Sequence, residues 1–375
     1  MTPSQTTRPR VHAVRRENAV QAVTRDGELS ATNHPRRLRV ARLAAGYGAI
    51  ACALPYLGLK LVWLGGGTLG IADRALMRDA SMLALNALTA GMDLVGMGIV
   101  LAFTHQWGLR IPAWLLLPPM WAASGLLAKF IVWVPIAAIT ALASGSLPRV
   151  AGGPVQPWVY AVVYVGFAGL GIGLMLAFLL YARARWADVL QPTTVAFQAS
   201  ATLDVQVPLA NTAALLAIAL GVLHLGWAFG ATVGLSEEAT RHRTILGSLI
   251  NAIDAAMMLA AAAGVLMIVH RRARRAPFLV PLAMTWVGAG SLFAWGLWPL
   301  INVLGKTALL RGAQRMGLVD LVHLLCVLVG LTIGLLTLFV LAERRSYGRV
   351  CLDTDEQEGR ESRYRPGGTA REGGV

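Results

Sequence analysis

Charge is scarce in this sequence. Asp, Glu, Lys and Arg make up 14% of its 375 residues, where a soluble domain carries about 25%. With 56% apolar residues and a mean hydropathy of +0.60, that scarcity excludes a disordered chain and argues against a soluble globular one. Cysteine is rarer still, at Cys52, Cys326 and Cys351. Two fall in apolar stretches and one in a polar tail, so no spacing suggests a disulfide framework or a metal site. Lysine is nearly missing: Arg outnumbers it 30 to 3, which with the Ala and Gly load suggests a high-GC bacterial genome. The Gly-x-x-x-x-Gly-Lys-Ser/Thr phosphate loop, the His-Glu-x-x-His zinc motif and the Gly-x-Ser-x-Gly elbow are all lacking. Nothing here points to ATP-driven transport, to a resident cofactor or to a metal. The first 42 residues hold no apolar core, so the expectation is no cleavable signal peptide and insertion directed by the first span.

The net charge is +14, which on its own invites a nucleic-acid partner. Its distribution argues against one. Positive charge collects in the Arg-rich stretch before residue 43, in Arg271, Arg272, Arg274 and Arg275, and in Lys306, Arg311 and Arg315, all beside apolar stretches. That is how topology signals are placed. The N-terminal tail also suits contact with anionic lipid.

A membrane-crossing helix needs about 20 mostly apolar residues. Eight such stretches are present, at 43–64, 81–104, 112–136, 158–181, 208–230, 246–269, 277–301 and 319–342. The third runs on to about Ala143, with Pro135 offering a break that would leave an interfacial piece. The partner implied is therefore a lipid bilayer. With eight spans both termini share one side. That side carries fourteen flanking Lys and Arg against eight opposite, so both termini are expected in the cytoplasm.

Internal repetition is the strongest signal. Trp63, Thr68 and Gly70 match Trp227, Thr232 and Gly234. Asn86, Met92 and His105 match Asn251, Met257 and His270. Pro112, Trp121, Gly125 and Trp133 match Pro277, Trp286, Gly290 and Trp298. Gly169, Gly173, Phe178 and Arg183 match Gly330, Gly334, Phe339 and Arg344. Offsets of 161 to 165 residues hold across all four spans. A unit of four spans returns the chain to its starting side, so the expected fold is all-α, with eight transmembrane helices as two parallel four-helix repeats. The segments would be an unstructured cytoplasmic tail (1–42), a first repeat (43–183), a connecting loop (184–207), a second repeat (208–344) and an unstructured cytoplasmic tail (345–375). Trp63, Trp227, Trp133 and Trp298 would fall near the outer interface as an aromatic belt. The small-xxx-small glycines would let helices approach, within the chain or between copies or partners.

Ionisable groups at bilayer depth are costly and mark function or pairing. The candidates are Lys60, Asp93, Lys129, His224, Asp254, Asp320 and His323. One reading makes Asp93, Asp254, Lys60, Asn86, His224 and Asn251 the lining of a polar pathway, with the two acids binding a cation or proton. The other pairs the acids with Lys60 or Lys129, or leaves them neutral, and lets Lys60 snorkel to the interface. Asp254 aligns with Thr89, one turn from Asp93, so the acids would share a helix face without being repeat equivalents. His105 and His270, equivalent in the two halves, are weaker candidates for haem or metal ligation. The cluster Glu237, Glu238, Arg241, His242 and Arg243 reads as a solvated turn.

The stretch Leu54-Pro55-Tyr56-Leu57-Gly58-Leu59-Lys60-Leu61-Val62-Trp63-Leu64-Gly65-Gly66 resembles one found in uncharacterised multi-pass membrane proteins of actinobacteria. The resemblance covers the first span and its exit. In the second half Lys60 gives way to His224 and Pro55-Tyr56 is not repeated. It implies a bacterial plasma-membrane location and no substrate, reaction or cofactor. Three functions remain open: a permease or channel-like protein for a small solute or ion, a non-catalytic scaffold or regulatory subunit, and an enzyme built on His105 and His270.

Overall fold

The computed structural model describes residues 38–74, 80–144, 155–186, 202–235, 237–241, 243–270, 278–310 and 317–364. Eight long helices dominate it: α1 Leu38–Leu64, α2 Ala80–Thr104, α3 Ala113–Ser144, α4 Pro157–Arg185, α5 Leu203–Phe229, α6 Ile245–Val269, α7 Leu279–Leu310 and α8 Leu318–Tyr364. All eight contain a segment long and apolar enough to cross a membrane. Among the described residues the only β pairing is a single bridge between Ile71 and Val155.

The sequence marks where these helices start and stop. Pro157 opens α4, where its missing N–H costs no helical bond. Thr244 caps α6, its hydroxyl accepting from Gly247 N at 3.0 Å. Gly230 closes α5 at φ +117°, a left-handed conformation open to glycine at little cost.

The exits of α1 and α5 are built alike. Gly67 N donates to Val62 O and Ala231 N to Gly226 O, both at 2.8 Å. Trp63 Nε1 donates to Leu69 O and Trp227 Nε1 to Val233 O, again at 2.8 Å. Gly70 and Gly234 both take positive φ, +71° and +79°.

Two apolar cores follow. One is formed by α1 to α4 around Val100, Phe103, Met120 and Tyr181. The other is formed by α5 to α8 around Ala217, Ala261, Leu292 and Ile333, with Trp121 of α3 packed on it. The seam between them runs along α3 and α7. A Cβ on Gly125 would collide with the backbone of Gly290, and one on Gly290 would stand 2.5 Å from Trp121 O. Phe130 and Trp295 meet at 5.8 Å between ring centroids. Trp121 stacks on Phe293 at 5.0 Å. Glycine is needed here because the two backbones touch. The outer faces are apolar: Leu61, Leu94, Val165, Leu215 and Leu335 are all exposed. So much bare apolar surface suits a lipid-facing molecule.

Three boundaries differ from expectation. Pro135 does not break α3, which is continuous past Pro118, Pro119 and Pro135. Apolar helices in a bundle tolerate proline because neighbouring groups satisfy the freed carbonyl. α5 begins at Leu203, ahead of Pro208. Its first turn is held by Gln206, whose Nε2 donates to Thr202 Oγ1 at 2.8 Å and to Glu343 Oε2 of α8 at 3.0 Å. That tie shortens the expected connection at 184–207. Finally, α8 remains helical to Tyr364, where an unstructured tail was expected from 345. Extending a formed helix avoids the costly nucleation step, and the Glu, Gln and Arg content of 345–364 favours it. The expected tails at 1–37 and 365–375 lie outside the described residues.

Candidate functional site: two buried ion pairs and a cavity

Lys60 lies one turn before the end of α1, and Asp93 lies mid-way along α2. Lys60 Nζ donates to Asp93 Oδ2 at 2.7 Å. Lys60 is wholly buried and Asp93 nearly so. Tyr56, one turn back on α1, places its ring 4.0 Å from the ammonium. Phe167 of α4 packs edge-on against Tyr56 at 5.4 Å. Lys60 therefore does not snorkel; it is held inward by a carboxylate and an aromatic face.

The second pair bridges the two cores. Lys129 of α3 meets Asp254 of α6 at 2.5 Å. Its ammonium lies 3.8 Å from the Trp295 ring of α7, and the indole Nε1 of Trp295 donates to Leu126 O at 3.2 Å. A cavity of about 120 Å³ opens beside this pair. Its polar lining is Lys129, Asp254, His224, Ser291, His323 and Cys326. The Nδ1 of His224 donates to Leu220 O at 3.0 Å, since a carbonyl can only accept. In the neutral ring that leaves Nε2 with a free lone pair. His323 Nδ1 is buried without a hydrogen-bond partner. A space of this volume, walled in part by polar groups, has room for a few waters at about 30 Å³ each.

The six residues expected to line one pathway are thus distributed. Asp254 and His224 face the cavity. Lys60 and Asp93 are paired elsewhere, and Asp93 is not part of the cavity wall. Asn251 Nδ2 donates to Gly247 O at 3.0 Å. Asn86 is half-buried on α2, two turns before Asp93. Asp320 accepts from Gly317 N at 2.9 Å and so caps the start of α8. Lys129, Ser291, His323 and Cys326 join the cavity beyond the expected six. Lys129 and His323 were visible as ionisable residues in apolar spans. Ser291 and Cys326 gave no signal, because small polar residues in spans are common.

His105 and His270, 165 residues apart, sit at helix ends. His105 Nε2 lies 3.4 Å from Tyr47 Oη, and its Nδ1 contacts Leu101 O at 3.1 Å. His270 Nε2 lies 2.7 Å from Asn211 Oδ1. Tyr47 and Asn211 are themselves 164 residues apart, so the same contact recurs with different chemistry. Among the described residues no group of three His, Cys, Asp or Glu could hold a metal ion.

Comparison with known proteins finds nothing similar: no family model, no curated sequence and no solved structure matches this chain.

Proposed function

We propose that the chain is a duplicated membrane protein of two parallel four-helix units, and that it acts as a permease or channel-like protein for a small solute or ion. Support for duplication comes from the matching exits of α1 and α5. It comes also from the seam, where Gly125 meets Gly290 and Phe130 meets Trp295. Each pair joins residues 165 apart. A twofold axis brings equivalent residues face to face in this way. In the plasma membrane, with both termini cytoplasmic, the ends Phe229 of α5, Ile245 of α6 and Leu318 of α8 lie on the outer side. At 1.5 Å per residue, Asp254 is about 14 Å, and His224 and His323 are each about 8 Å, from that side.

The functional reading rests on one observation: the Lys129–Asp254 pair borders a polar cavity instead of being closed over. Intramembrane charge kept beside open polar space marks solute and ion routes. In proteoliposomes the full chain should raise the flux of a small ion or solute above that of empty vesicles, and Asp254→Asn should remove the increase. If protons, monovalent cations, small anions and small neutral solutes all cross no faster than in empty vesicles, the carrier reading fails. The rival, a scaffold or regulatory subunit, then gains. It draws on the glycine seam and on the closed Lys60–Asp93 pair, which specify packing without requiring a ligand.

A further inference from the structure

Both intramembrane lysines are held in the same way. Each ammonium meets one carboxylate and one aromatic face: Lys60 with Asp93 and Tyr56, Lys129 with Asp254 and Trp295. A carboxylate combined with a π face is a recurrent cradle for ammonium and alkylammonium ions. Each lysine is therefore a tethered ammonium sitting in a cation site. The second has a cavity of about 120 Å³ beside it.

Building on the permease reading, we propose that Asp254 and Trp295 form a binding site for a small ammonium-type cation, and that Lys129 is its built-in competitor. One carboxylate matches one positive charge. The indole face favours an ammonium over a strongly hydrated metal ion. The volume admits a cation of a few heavy atoms together with water.

Charge balance dictates how the exchange proceeds. Burying an uncompensated ion costs several kcal/mol, so a cation cannot simply be added beside Lys129. Its entry must expel one proton. An N–H bond of the Lys129 ammonium breaks, the electron pair stays on Nζ, and the proton leaves through the cavity to the aqueous phase. The incoming cation takes over the Asp254 carboxylate, and the net charge of the site is unchanged. The other titratable groups facing this space are His224 on α5 and His323 and Cys326 on α8, while the α7 residues on its wall, Ser291 and Trp295 among them, carry no titratable group. The free Nε2 of His224 is the acceptor suited to carry the proton away.

The test uses the full chain in nanodiscs, titrated with methylammonium chloride at neutral pH in weak buffer, with bulk pH and tryptophan fluorescence read together. The expected result is saturable binding with release of about one proton per cation bound. Lys129→Met should bind at least about tenfold more tightly and release none. Lys129→Arg, whose guanidinium keeps its proton, should bind at least about tenfold more weakly. Asp254→Asn should not bind. Wild-type binding without proton release, equal affinities for Lys129→Met and Lys129→Arg, or no binding at all overturns the proposal. If Lys129→Met fails to fold, the wild type and Lys129→Arg decide it between them. The exchange needs no transport, so vesicles without flux would remove the permease reading while leaving this site standing.

Discussion

The first and second buried ion pairs use the same components and are surrounded differently. Lys60–Asp93 joins neighbouring helices inside one core, with Lys60 at zero exposure. Lys129–Asp254 joins helices from the two cores and borders a cavity. His224 and Met258 stand 164 and 165 residues after Lys60 and Asp93, and both line that cavity. The molecule holds a closed polar pair in one core and an open polar site between the two.

Removing one member of the closed pair should have the largest effect. Lys60→Met leaves Asp93 buried without its partner and should cost about 3–5 kcal/mol, read as a lowered unfolding midpoint in detergent. The double change Lys60→Met with Asp93→Leu should recover most of that loss, because packed apolar groups replace a buried pair at little net cost. A double variant as unstable as the single one would show that the pair does more than satisfy itself.

Next in size is the seam. Gly125→Leu must push α3 away from the Gly290 backbone and should cost at least about 1–3 kcal/mol, the usual penalty of overpacking. Gly48→Leu is the control, since nothing lies within 4 Å of a Cβ there; its unfolding midpoint should stay near that of the wild type. Equal effects would mean that the seam is not a tight contact.

The smallest effects should be the most alike. Trp63→Phe and Trp227→Phe each remove one hydrogen bond at a helix exit. Each should cost about 1 kcal/mol, measured in the same unfolding assay. Clearly unequal losses would weaken the view that the two exits are copies.

The spans were legible because apolar length is a direct consequence of bilayer thickness. The exits were legible because Trp and Gly recur at fixed spacing and only certain residues suit a left-handed turn. That Asp93 and Asp254 would have lysine partners was open in the sequence as one of two readings. Which lysine goes with which acid was not. Lys129 and Asp254 are brought together by the packing of α3 on α6 and α7, and no local pattern encodes that. The cavity was hidden for a similar reason: its lining is gathered from five helices, α3, α5, α6, α7 and α8, which no local pattern encodes. The helical stretch 345–364 was missed because its composition is that of a solvated tail, and its helicity is inherited from α8.

One pair is closed and structural, while the other is open to a polar space. The most direct measurement compares the unfolding free energies of Asp93→Asn and Asp254→Asn in the same detergent. Asp93→Asn should lose about 3–5 kcal/mol. Asp254→Asn should lose clearly less, because water in the cavity beside it can take up the lone Lys129 ammonium. Equal losses, or a larger loss for Asp254→Asn, would contradict the account.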